Sequence, residues 1–84
     1  MVDKHRCMKI ESYAIARDYF GRSFEVDEPV TNIASLRELL AKRNPAAASL
    51  LKKTRFAVGD EFIDDSFQLK PADHVSIIPP SSGG

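Results

Sequence analysis

The chain has 84 residues, 43% of them hydrophobic and 29% charged, the make-up of one small globular domain rather than of a disordered segment. Twelve Lys and Arg balance twelve Asp and Glu, so the formal net charge is zero and nothing in it points to nucleic acid or to an anionic membrane. A single cysteine, Cys7, excludes an internal disulfide framework and fits a reducing, cytoplasmic compartment. No apolar run approaches the roughly 18 residues of a membrane span, and residues 1–6 are not followed by the apolar stretch of a secretory leader.

Residues 8–11 alternate apolar and charged side chains and read as a half-buried strand running into Tyr13 and Ala14. Residues 16–20 have room for a short helical turn, closed by Gly21 in a left-handed cap. Residues 23–27 alternate again, with Phe24 and Val26 on one face, and Pro29 ends that second strand. The clearest helix follows. Thr31 or Asn32 is a good N-cap, and Ile33, Leu36, Leu39 and Leu40 recur on one face at helical spacing. Lys42 and Arg43 complement the dipole of its last turn, and Asn44-Pro45 stops it. A weaker helix is expected over residues 46–53, with Leu50 and Leu51 as its apolar side chains.

Phe56-Ala57-Val58 reads as a strand, Gly59-Asp60 as a turn and Phe62-Ile63 as a short strand. Asp64-Asp65-Ser66 makes a second turn, and residues 70–73 form a loop before a last strand at 74–78. There Val75 and Ile77 face one way and Ile78 the other, so partial cover on both faces is expected. Pro79 has no N–H to donate, so pairing should stop at that point. The fold class is α+β: a mixed sheet of about five strands with one main helix packed across one face, the last strand lying beside the first. That is the ubiquitin-like β-grasp arrangement. Residues 8–80 form the domain, 1–7 an N-terminal extension and 81–84 a flexible Gly-Gly tail.

No catalytic constellation is visible. His5 and Cys7 supply two metal ligands where a structural zinc site takes four, so no metal site is expected. No base is evident to activate Cys7. His74 sits at a loop-to-strand junction and reads as surface or hydrogen-bonded structure rather than as a general base. The adjacent Asp64 and Asp65 read as turn formers. Lys52-Lys53-Thr54-Arg55 and the acidic Asp60-Glu61 and Asp64-Asp65 read as solvated surface, with a docking patch as the functional alternative.

The tail carries the chemistry. Gly83-Gly84 follow Pro79-Pro80 and Ser81-Ser82, and by average glycine usage a terminal pair arises by chance about once in two hundred chains. Without Cβ atoms such a tail threads a narrow channel and presents an unhindered carboxylate. A frayed terminus is the plain alternative. A carboxylate is a poor electrophile and must be activated, typically as an acyl-adenylate. Its carbonyl then accepts sulfur, giving a nucleophilic thiocarboxylate, or an amine, giving an isopeptide bond.

The terminal run Ile77-Ile78-Pro79-Pro80-Ser81-Ser82-Gly83-Gly84 resembles the signature of the MoaD-type sulfur carriers, the small subunits of molybdopterin synthase. Residues 56–63, the loop and strand start at 69–75, the helix segment 35–40 and Tyr13-Ala14 with Arg17 are also similar to that family. The resemblance covers residues 8–84. Ala72 stands where the family usually has glycine and Ser81 where it has Val or Ile, while residues 1–7 have no assigned counterpart.

The resemblance implies a reaction cycle. An E1-like adenylyltransferase activates Gly84 with ATP and magnesium, and a sulfur donor converts it to the thiocarboxylate. Pro79, Pro80, Ser81, Ser82 and Gly83 insert into a channel of the large catalytic subunit, where the sulfur passes to precursor Z to build the dithiolene of molybdopterin. Two small subunits flank a dimer of large ones. The small subunit is then a non-catalytic part of a sulfurtransferase complex, with no stably bound cofactor. Tyr13, Phe62 and Ile78 are the implied partner-docking residues, core packing being the alternative for each. Rival readings are a sulfur carrier for thiamine or tRNA thiolation, a ubiquitin-like protein modifier, and a β-grasp binding module whose glycines are incidental.

Overall fold

The computed structural model describes residues 8–70 and 73–80. Strand β1 (Met8–Ser12) leads through a turn into the short helix α1 (Ala16–Phe20) and back along β2 (Ser23–Val26). The long helix α2 (Ile33–Arg43) follows. A 3-10 turn at Pro45–Ala47 then passes into α3 (Ala48–Lys53), and β3 (Arg55–Val58), β4 (Glu61–Ile63) and β5 (His74–Ile78) complete the sheet. The five strands lie in the order β2-β1-β5-β3-β4. Only β1 and β5 run parallel, Ile10 opposite Val75 and Ser12 opposite Ile77; the remaining pairs are antiparallel. The last strand therefore enters the middle of the sheet, beside the first, as the β-grasp reading requires.

Strand alternation decides which face is covered. Met8, Ile10, Val26, Phe56, Val75 and Ile77 are buried on one face, and they meet Ile33, Leu36 and Leu40 of α2 and Leu51 of α3 in a single core. α2 starts where the sequence allowed two caps, and Asn32 takes the role. Its side chain accepts from the Ser35 N–H at 2.9 Å, while Ser35 Oγ accepts from the Asn32 N–H at 3.1 Å. The next N–H groups of the first turn are not left bare. Those of Ile33 and Ala34 donate to the carbonyls of Phe67 and Asp65, so the loop between β4 and β5 caps this helix. At the other end the Asn44 side chain donates to the Tyr19 carbonyl at 2.9 Å and ties α2 to α1.

Element bounds differ from expectation in small ways. The weaker helix is split, because Pro45 sits at the start of a 3-10 turn capped by Asn44, and the α-helix proper begins only at Ala48. Gly21 has a positive φ of 81° but an extended ψ of −179°, so it turns the chain into β2 without being the left-handed cap. Ile78 is half-buried on the face away from the helices, but no described helix or strand packs on that face, so the cover expected on both faces is found on one. Among the described residues no helix is long and apolar enough to cross a membrane.

Candidate functional site

β5 leaves the sheet between its two neighbours. Ile78 is the Cα partner of Arg55 on β3, and the Ile77 carbonyl accepts from the Tyr13 N–H at 3.1 Å on the β1 side. Ile77 is fully buried. Pro79 is buried as well and Pro80 is exposed, so the chain is anchored in the body up to Pro79 and emerges at Pro80. Of the residues assigned to the inserting arm, Pro79 thus belongs to the packed domain. Ser81, Ser82, Gly83 and Gly84 lie outside the described residues, as do the extension 1–7 with His5 and Cys7, and Ala72.

Among the described residues, no helix or strand packs on the face of the sheet opposite α2 and α3. Register places Glu11, Ser76, Ala57 and Phe62 in one row across β1, β5, β3 and β4, and Arg55 and Ile78 in the next. Tyr13 continues β1 on that face; its hydroxyl donates to Glu11 Oε1 at 3.3 Å. Tyr13 and Phe62 are 41% and 53% exposed, too much for core residues. The three implied docking residues therefore share one face near the exit of β5. The same Glu11 oxygen lies 3.1 Å from His74 Nε2, so His74 is a surface group in an exposed pair.

Three further features were not read from the sequence. Arg55 places its guanidinium 4.3 Å from the centre of the Phe62 ring, a cation–π contact that fixes the aromatic as part of a mixed apolar and cationic surface. Ile15, just before α1 and two residues after Tyr13, is 44% exposed, a further apolar side chain open to solvent. Ala14 between them has φ of 54°, a left-handed conformation unusual for a residue with a Cβ. Strand alternation with the register would have found Arg55, but the local bend at Ala14 has no sequence signal. Near the β4 end of the sheet, hydrogen bonds from the hydroxyl and N–H of Ser66 hold the Asp64 carboxyl below the usual carboxylate value, which agrees with its reading as a turn former. No group of three His, Cys, Asp or Glu placed to hold a metal occurs among the described residues.

The sequence profile of the ThiS family matches residues 12–84, nearly the whole domain and the run through Gly84. The chain belongs to the ThiS family. It is 33% identical, over 92% of its own length and 98% of the relative's, to the molybdopterin synthase sulfur carrier subunit of Chlamydomonas reinhardtii. Solved structures share the fold of this ThiS-family chain at low identity. Small archaeal modifier protein 1 of Haloferax volcanii superposes with a TM-score of 0.76 at 18% identity, covering 93% of this chain and 99% of the other. Subunit 1 of a putative molybdopterin converting factor from Pyrococcus furiosus gives 0.75 at 21%, covering 89% and 98%. A complex of subunits 1 and 2 of the molybdopterin-converting factor of Helicobacter pylori gives 0.66 at 20%, covering 93% and 99%. At these identities the structures speak for the ubiquitin-like β-grasp fold of the family.

Proposed function

We infer that this chain is the sulfur carrier subunit of a molybdopterin synthase, acting in the cytoplasm. The observation that carries the reading is the similarity, along nearly the full length of both chains, to a sulfur carrier subunit of that enzyme. The geometry supports it: a central strand anchored through Pro79 delivers the last residues to one end of the domain, beside an uncovered face that displays Tyr13, Phe62 and Ile78. Among the described residues no acid, base and nucleophile come together, which suits a protein whose reactive group is the Gly84 carboxylate.

In this reading an E1-like enzyme uses ATP and magnesium to adenylate Gly84, with pyrophosphate leaving, and a sulfur donor displaces AMP to leave the thiocarboxylate. The arm from Pro80 to Gly83 then enters the large subunit, and the sulfur is given to precursor Z. The Helicobacter pylori complex of subunits 1 and 2 supports a large-subunit partner; two small chains flanking a dimer of large ones is the assembly proposed.

The test is the intact mass of the C-terminal peptide after incubation with the activating enzyme, ATP, magnesium and a sulfur donor. Replacement of one oxygen by sulfur at Gly84 is the expected result. An unmodified carboxylate under conditions of active cofactor synthesis overturns the reading, and lysine-linked adducts ending in this tail point to a protein modifier instead. One extra residue after Gly84 should abolish transfer and leave the melting curve unchanged.

A further inference from the structure

Zero net charge conceals a segregation that the fold creates. Arg55 is the Cα partner of Ile78 on one side of the departing strand. Lys52 and Lys53 end α3 just before it. On the other side the Arg22 carbonyl accepts from the N–H of Ser12, the partner of Ile77, at 2.9 Å. Arg17 Nε donates to the Ser12 carbonyl at 3.3 Å. All five cations are exposed, and among the described residues no carboxylate lies within ion-pairing distance of any of them. The carboxylates at this end have other partners or stand outside ion-pairing distance of these five. Asp65 is paired with Arg37, Asp64 is held by Ser66, and Glu11, in one cavity with Arg17 and Arg22, is paired with His74, which leaves Asp18 and Glu38, the latter in one cavity with Lys52. Asp27, Glu28, Asp60, Glu61 and Asp73 lie at the opposite ends of the strands.

We propose that Arg17, Arg22, Lys52, Lys53 and Arg55 form a cationic collar around the root of the tail that docks on an acidic rim at the mouth of the large subunit's tail channel. The proposal rests on the carrier reading. Helix-dipole compensation accounts for Lys52 and Lys53 at the end of α3, but Arg55 is on a strand, and Arg17 and Arg22 end no long helix. Five like charges gathered at one end repel one another, a cost that an opposing acidic surface removes. Four residues beyond Pro80 reach at most about 14 Å. A channel that encloses Gly84 must therefore bring its mouth against the collar. A protein rim is favoured over a nucleic acid because the acidic far end would oppose a long polyanion. Arg55, held over Phe62, joins the collar to the docking face.

The test is stopped-flow association of the full chain with the large subunit from the same genome, across ionic strengths. The wild-type association rate should fall steeply with salt, an arm that needs no variant. Lys52→Glu with Lys53→Glu, and separately Arg22→Glu, should each lower it about tenfold at low salt and flatten the salt dependence, with dissociation little changed. Lys70→Glu, at the far end, should change it by less than about twofold. Circular dichroism verifies that each variant is folded. A salt-independent rate, or equal effects from Lys70→Glu and the collar variants, overturns the collar and leaves the carrier reading standing. Failure of the wild type to bind the large subunit at any salt overturns both.

Discussion

The Arg37 guanidinium, on α2, donates to the carbonyls of Leu51 and Thr54, the latter at 2.8 Å, and pairs with Asp65 at 2.5 Å. Its carbon lies 4.8 Å from the centre of the buried Phe56 ring. One side chain thus joins the long helix, the end of α3 and the loop after β4. Removing it takes a donor from the Thr54 carbonyl and the Asp65 carboxylate, while the Leu51 carbonyl keeps only the Thr54 N–H at 3.2 Å. Arg37→Ala is expected to destabilise the fold by about 2 kcal/mol, read as a lowered urea midpoint at constant slope. Arg37→Lys should recover only part of this, because an ammonium lacks the planar fork that reaches several acceptors at once. None of it was legible in the sequence. The partners stand 14, 17 and 28 residues away, and a half-apolar helix face with one Arg looks like any solvated surface.

At the scale of elements the sequence was far more open, since helix and strand signals are local. Alternation located β1, β2 and β5, and 3.6-residue spacing located α2 together with its basic last turn. What it left undecided was the start of α2, where Thr31 and Asn32 are both good caps. The structure chooses Asn32 because Ser35 stands three residues on and closes a reciprocal pair of hydrogen bonds, with Ser35 serving where Glu or Gln is usual. Asn32→Ala should therefore cost about 1 kcal/mol in thermal or urea unfolding, whereas Thr31→Ala should cost only a few tenths. Equal losses would mean that the cap is shared. The split of the second helix was not legible, since alanines at 46–48 fit a 3-10 turn and an α-helix alike and only Asn44-Pro45 biases the choice.

For the whole molecule, the question is which apolar residues build the body and which are offered to a partner. The sequence left Tyr13, Phe62 and Ile78 divided between core and docking, because a strand with apolar residues on both faces does not say which face the helices cover. The register settles where they lie: α2 covers the face of Ile77, and Phe62 and Ile78 lie on the other. The chemistry proposed at Gly84 was legible only through the tail motif. The proposed division of labour predicts opposite phenotypes for two truncations one strand apart. Ile77→Ala empties part of a fully buried site and should cost about 3 kcal/mol of stability. Phe62→Ala removes a half-exposed ring and its contact with Arg55, so stability should change by less than about 1 kcal/mol. Affinity for the large subunit should nevertheless fall about tenfold or more, as for an aromatic anchor at an interface. Unfolding curves and binding titrations on the same preparations separate the two cases. A Phe62→Ala protein that binds like wild type would leave the uncovered face without the docking role assigned to it.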